Sequence, residues 1–247
     1  IMMMLFDAAA KYELKIAFHL EPFKNRNGQT LREVVKYVID KYGNHSAFYR
    51  YEIRGTKLPV FYVYDSYQIS PQLWADALSQ DGKFSVRGTQ YDAIFLGLLV
   101  EFEHFSHLTE SKFDGFYTYF ASNGFVYGSS WKNWPLISKE AEKRKLIFVP
   151  SIGPGYLDTR VRSWNGKNTK LRLNGKYYKS AFQSALAVHP KLLTITSFNE
   201  WHEGTQVESA IPKTITDFKY EDYYPNAPEY YLNLTKSFAE EYRKSIK

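Results

Sequence analysis

A parallel α/β sheet is the fold class predicted by this sequence, on three observations. Apolar runs rich in β-branched and aromatic residues recur along the 247 residues, most of them are continuously apolar rather than alternating, and segments of helical period separate them. Strand then helix, repeated through right-handed crossovers, builds a sheet covered on both faces.

The strand candidates are 15–21 (KIAFHLE), 59–65 (PVFYVYD), 92–100 (DAIFLGLLV), 113–120 (FDGFYTYF), 146–153 (LIFVPSIG) and 192–201 (LLTITSFNEW). The stretch 1–12 (IMMMLFDAAAKY) reads as the last turns of a core-packing helix, too short and too poor in N-terminal charge for a secretory signal. The expectation is a chain cut inside a larger domain. Thr30-Leu31-Arg32-Glu33 forms a capping box, followed by Val34, Val35, Val38 and Ile39 at helical spacing. Ser70-Pro71 opens a helix carrying Leu73, Trp74, Ala77 and Leu78, with proline at its first position. Segment 177–188 is amphipathic, and 226–246 closes the chain as a helix with Pro228 near its start.

Six such strands fit a doubly wound sheet or part of an eight-stranded barrel. Polar residues gather at strand C-termini (Glu21, Asp65, Tyr119, Glu200), where both architectures place active sites. The glycine-rich phosphate turn of dinucleotide folds is missing, because proline spoils Gly153-Pro154-Gly155 and no helix opens there. The barrel is therefore favoured. Without repeats, low-complexity tracts or linkers, residues 1–247 read as a single domain.

Composition excludes several function classes. With 44% hydrophobic and 23% charged residues the chain is ordinary globular material, and no run of roughly 18 uncharged apolar residues is present to span a bilayer. Zero cysteines remove disulfide scaffolds, thiolate catalysis and cysteine-bound metals. The net charge of +6 is scattered, and the densest cluster, 140–145, alternates in sign as a solvated helix end does, which argues against nucleic acid. Aromatic content is the outlier at 18%, with 21 tyrosines, and suits a polar groove that stacks on flat, hydroxyl-rich ligands such as sugars.

The richest chemistry lies in 196–208 (TSFNEWHEGTQVE), where Asn199, Glu200, Trp201, His202 and Glu203 arrive together at the end of the last strand. Glu200 and Glu203 supply two carboxyls, the minimum for cleaving a glycosidic bond with one acid and one base; an ion-paired strand end with Trp201 as packing is the competing reading. Three residues apart, they oppose each other on a strand but are neighbours on a helical turn, so spacing leaves their separation open. His19-Leu20-Glu21-Pro22 places a further carboxylate at a strand end, and Tyr62 and Tyr64 share one side of theirs, as a sugar platform or a structural ladder. Glu101, Glu103, His104 and His107 offer a helical metal face but no HExxH pattern, and no G-x-S-x-G elbow marks a serine hydrolase.

Taken together, HLEP (19–22), AFYR (47–50), LPVFYVYDSY (58–67), TYFASNGF (118–125), PSIGPGY (150–156), NGKYY (174–178) and SFNEWHEGTQVE (197–208) resemble the glycoside hydrolase family of endo-α-1,2-mannosidases, with the closest likeness to its animal Golgi members. The likeness runs in order from about Lys15 to the C-terminus. It implies a (β/α)8 TIM-type barrel, incomplete here, with six of eight strand–helix units and the first two missing. By the same resemblance Glu200 matches the family's base and Glu203 its general acid. Tyr119 matches a tyrosine beside the base, and Glu21 the strand-end carboxylate lining the sugar site. Tyr62, Asp65, Tyr156, Arg162, Asn199 and His202 lie in matching blocks and are assigned to substrate binding or its support. Phe23 and Val207 depart from the family's usual tyrosine and isoleucine.

The implied activity is retaining, endo-acting cleavage of the α-1,2-mannosidic bond of glucosylated high-mannose N-glycans, through a 1,2-anhydro sugar. No metal or organic cofactor is implied. A monomer in the Golgi lumen is expected, with no nucleic-acid partner and no membrane contact from this segment. The sequons Asn44-His45-Ser46 and Asn233-Leu234-Thr235 are compatible with that location. The alternatives are a catalytically impaired glycan-binding relative and a barrel glycosidase using a carboxylate nucleophile.

Overall fold

The computed structural model describes every residue except 54, 217 and 247. The chain divides into two compact units that interleave in sequence: 1–99, 103–117 and 143–147 form the first; 100–102, 118–142 and 148–247 the second.

The first unit contains α1 (Met2–Lys11), β1 (Phe18–Leu20), α2 (Gly28–Tyr42), β2 (Arg50–Ile53), β3 (Thr56–Val63), α3 (Pro71–Leu78), β4 (Ile94–Leu98), α4 (His104–Glu110) and β5 (Gly115–Tyr117). Strands β1, β3, β4 and β5 run parallel in that order, pairing His19 with Tyr62, Tyr62 with Leu96 and Leu98 with Tyr117. Every residue of β4 is buried, which is why its run is continuously apolar. Phe61, Phe95 and Phe116 on the strands and Val35, Trp74 and Phe105 on the helices form the core.

Two features differ from the expectation. Helix α2 begins before Thr30: Asn27 is the N-cap, its Oδ1 accepting from the Thr30 N–H (3.1 Å) while Thr30 Oγ1 accepts from the Asn27 N–H (2.9 Å). Asparagine caps better than threonine. Gly28 lets that first turn lie against α3, since a Cβ there would fall 2.7 Å from the Leu73 carbonyl oxygen. Strand β2 is the second difference; it pairs antiparallel with β3, its side chains half-exposed or exposed, so it lacks the continuous apolar signal of its parallel neighbours.

The second unit holds β7 (Ser151–Ile152) parallel to β8 (Thr194–Ile195), with α6 (Lys176–Leu186) and α7 (Tyr230–Ser245). The expected strand at 146–153 is broken at Pro150 into β6 (Ile147–Val149) and β7, as proline without an N–H requires. The expected strand at 192–201 is only two residues long before the chain turns into the Glu200 loop. Phe182 of α6 stacks on Phe238 of α7 (4.4 Å between centroids, 11°). α5 (Trp134–Arg144) buries Trp134, whose Nε1–H donates to the Gly128 carbonyl at 2.8 Å. Among the described residues, no helix is long and apolar enough to cross a membrane.

Candidate active site

In the second unit Glu200 and Glu203 flank a single 3-10 turn, Trp201–Glu203, which resolves the ambiguity of their spacing in favour of a helical turn. Ser197 Oγ receives the Glu200 N–H (2.9 Å), and the Glu200 carbonyl accepts the Glu203 and Thr205 N–H groups at 3.3 Å each. The Glu200 side chain is exposed and its carboxylate has no hydrogen-bond partner among the described residues. Gly204 ends the turn at φ 60°, where a Cβ would sit 3.0 Å from Leu157, so glycine is required twice over. Buried Arg172 locks the backbone beyond this turn: its Nη2–H groups reach the carbonyls of Gly204 and Gln206 at 2.9 Å each, and Nε–H reaches Glu221 Oε2 at 3.0 Å.

Glu203 points into a polar cluster supplied by 156–165. Arg162 Nη1 donates to Glu203 Oε1 and to Asp158 Oδ2, both at 3.1 Å. Asp158 is fully buried and also accepts from Tyr156 O–H (2.8 Å) and Asn165 Nδ2 (3.1 and 2.9 Å). The Leu157 N–H donates to the Glu203 carbonyl at 2.8 Å, tying the two segments together. Burial pushes the Glu203 carboxyl above its ordinary 4.5; the Arg162 hydrogen bond and charge oppose this, while Glu200 and Asp158 add to it. Burial and the Asp158 hydrogen bond likewise push the Tyr156 phenol up.

Tyr119 sits in the left-handed region (φ 51°), a conformation that costs a bulky residue about 1–3 kcal/mol. Its N–H donates to Ser151 Oγ (2.8 Å) and its carbonyl accepts from Thr196 Oγ1 (2.6 Å), which hold it there. Asn199 and His202 are exposed, and neither side chain is hydrogen-bonded to the two glutamates. The His202 ring turns instead toward Tyr220 (6.3 Å), over a cavity of about 450 Å³ lined by Trp201, Ile211 and Ile215.

In the first unit, His19 bonds Glu21 Oε1 through Nδ1 (2.8 Å) and Tyr117 OH through Nε2 (2.6 Å). A carboxylate only accepts, so Nδ1 carries the proton and Nε2 accepts from the phenol. Burial lowers the imidazole below its ordinary 6.5, against the charge and hydrogen bond of Glu21. Tyr62 meets Tyr117 edge-on (5.2 Å, 84°), and burial raises its phenol. Tyr64, just past the end of β3, lies 5.5 Å from the His19 ring. Asp65 (φ 47°) accepts from Tyr67 O–H and Gln68 Nε2 within its own turn. Buried Arg26 grips the carbonyls of Tyr64 (2.6 Å) and Asp65 (2.7 Å), bringing a cation to Asp65, Glu21 and Tyr117.

The structure thus gathers Glu203, Arg162 and Tyr156 in one unit, and Glu21, Tyr62 and Asp65 in the other. Sequence reasoning missed Asp158, Asn165, Arg172, Arg26, His19 and Tyr117. For His19 a signal existed, its place in HLEP; Arg172, Arg26 and Tyr117 lie far in sequence from the groups they bind, whereas Asp158 and Asn165 bind near neighbours but fall outside the motif blocks. Among the described residues, no cluster of three or more His, Asp and Glu is arranged to hold a metal, and His107 is bonded to the Ile69 carbonyl at 2.6 Å.

A half-buried carboxyl of raised proton affinity three residues after an exposed one is a pair of the kind that cleavage of a glycosidic bond uses. The chain belongs to glycosyl hydrolase family 99, whose model matches residues 1–244. It is 53% identical over 241 residues to the glycoprotein endo-alpha-1,2-mannosidase of Rattus norvegicus and 52% identical to that of Xenopus laevis, covering 97% of this chain and 52% and 54% of those proteins. The chain therefore spans about half the length of the curated relatives it matches. The GH99 endo-alpha-mannosidase structure from Bacteroides thetaiotaomicron matches with a TM-score of 0.93 at 45% identity, over 98% of this chain and 70% of that one. The expected fold class, α/β of the TIM-barrel type, is that of this match.

Proposed function

We propose that the chain is a catalytic domain for retaining, endo-acting cleavage of α-1,2-mannosidic bonds, with Glu200 as base and Glu203 as acid. One observation carries the reading: the two carboxyls share a turn, yet Glu200 is exposed and without partner among the described residues while Glu203 is half-buried with its proton affinity raised. A base must be ionised while its companion acid is protonated, and environments that push two carboxyls apart do that.

In an α-mannoside the 2-hydroxyl and the departing oxygen are both axial and on opposite faces. Glu200 takes the 2-hydroxyl proton, O2 displaces the leaving oxygen from behind to close a 1,2-anhydro ring, and Glu203 gives its proton to that oxygen. Water then opens the ring with the roles reversed, giving net retention. In the second unit, Tyr119, Tyr156, Arg162, Asn199 and His202 are proposed to bind sugar or support the two glutamates; in the first, Glu21, Tyr62 and Asp65 are assigned to sugar binding by the resemblance of their motif blocks. The names of the mannosidase relatives support the bond, and the resemblance of the motif blocks supports a glucosylated high-mannose N-glycan as substrate and the Golgi lumen as its place.

The test is incubation with a mannose oligosaccharide capped by glucosyl-mannose, with products read by mass spectrometry. Release of the glucosyl-mannose disaccharide is expected, and none from the 2-deoxy analogue at the cleaved mannose. Binding without release marks a glycan-binding relative and overturns the enzymatic reading; turnover of the 2-deoxy analogue overturns the anhydro route.

A further inference from the structure

Asp158 is the one carboxyl of the second unit's cluster that solvent cannot reach, and the proposed reaction gives it no step. The groups aimed at its two oxygens are all donors: Tyr156 O–H, Asn165 Nδ2–H and Arg162 Nη1–H. That is the setting of a carboxylate, and a buried charge persists only when paired and hydrogen-bonded. Asn165 is itself buried, and its Oδ1 accepts from Asn168 Nδ2, so the amide is fixed with its NH2 toward Asp158. Arg162 is held at both ends of its reach: one nitrogen, Nη1, is shared between Asp158 and Glu203 at equal distance. The two carboxylates are therefore no more than twice that distance apart.

A bare guanidinium bonded to Glu203 would favour the carboxylate and strip it of the proton an acid must deliver. A second negative charge on the same nitrogen offsets that pull while leaving the geometric hold intact. Building on the proposed acid role of Glu203, we propose that Asp158 is a positioning residue: it clamps Arg162 in place and neutralises its charge, so that the guanidinium orients the Glu203 carboxyl without taking its proton. The hydrogen bond to Asp158 is also the largest influence raising the proton affinity of the Arg162 guanidinium. The other charged groups around Glu203 do not replace this function. Glu200, on the same turn, is exposed; the Tyr156 phenol is bonded to Asp158; and the Arg172–Glu221 pair at the Gly204 carbonyl is mutually neutralised.

The experiment tracks the Glu203 carboxyl by carbon-13 NMR titration in the full chain, assigned by its loss in Glu203→Gln, and needs no substrate. In Asp158→Asn, which keeps shape and removes charge, Glu203 should titrate about one pH unit lower than in the wild type. In Asp158→Asn/Arg162→Gln, which removes the pair together, it should return to within about half a unit of the wild type. An unchanged titration in the single variant, or a shift above about one unit in the double variant, overturns the proposal. Should Asp158→Asn fail to fold, the double variant is compared with Arg162→Gln, from which it differs only in the Asp158 charge: Glu203 should titrate about one unit lower in the double variant, and equal titrations overturn the proposal. Where mannoside cleavage is observed, its alkaline limb should move down in Asp158→Asn by the same interval. If the wild type cleaves no mannoside, the functional reading falls and the titration still decides the role of Asp158.

Discussion

The loop after β8 and the turn after β3 use the same scaffold device for different ends. In each, a buried arginine grips two main-chain carbonyls: Arg172 those of Gly204 and Gln206, Arg26 those of Tyr64 and Asp65. Each guanidinium also lies over an aromatic ring, Tyr231 at 4.6 Å and Trp74 at 5.3 Å. The two regions present different chemistry. Glu203, 22% exposed, has its proton affinity raised even with a guanidinium bonded to it. Glu21, 66% exposed, pairs with a histidine, and there it is the imidazole whose affinity is shifted, downward. Desolvation outweighs the ion pair in both cases, so the depth of the group, more than the identity of its partner, decides which proton is retained.

The strongest way to break this comparison is Glu203→Gln. Loss of the proposed general acid should lower kcat by about 10²–10⁴-fold and flatten the alkaline limb of the pH profile. A variant that keeps the wild-type limb assigns that limb to another group. The same raised affinity has a stability consequence: a folded carboxyl above its unfolded 4.5 contributes stability below that value, which is lost as pH rises through the folded value. Glu203→Gln should abolish that loss in urea melts taken from pH 4 upward.

The next largest effect compares the arginines. Arg172→Met strands the Glu221 carboxyl along with two carbonyls, and should cost about 3–5 kcal/mol in urea unfolding. Arg26→Met strands two carbonyls without a hydrogen-bonded carboxylate, and should cost about 1–3 kcal/mol. Equal losses would show that the Glu221 pair contributes nothing.

Much of this is legible in the sequence, and the limit has a physical cause. Apolar runs locate β3, β4 and β5 because these parallel-paired strands are largely buried, and that pattern survives in sequence; β1, with His19 exposed, keeps only part of it. It fails at β2, which is antiparallel and half-exposed, and it overestimates the last strand, whose ten-residue run yields two strand residues. The two glutamates are readable because they share one block. Arg172 is not, because its partner Glu221 stands 49 residues along the chain, and Asp158 is not, because its own partners are near in sequence and only Arg162 links it to Glu203. Periodicity and motif spacing carry no information about such pairs. Tyr119 and Asp65 are marked only by their position at strand ends, yet both adopt positive φ, a strain the sequence does not advertise in residues other than glycine.

The smallest expected effect is also the most direct probe of the first unit. Glu21→Gln keeps an acceptor for the His19 Nδ1–H but removes the charge that raises the imidazole's affinity, leaving burial unopposed. The His19 titration should therefore move further below 6.5, by less than about one unit, since an exposed partner is screened by water and salt. A folded histidine below its unfolded value binds protons more weakly than the unfolded chain, so its contribution to stability is present above 6.5 and is lost as pH falls toward the folded value. Extending that window downward makes the variant lose more stability than the wild type between pH 7 and pH 5. Proton NMR of the ring and urea midpoints at the two pH values measure both quantities. An upward shift would mean that Glu21 does not act on His19 as an anion, and that the contrast between the two carboxylates rests on something other than depth.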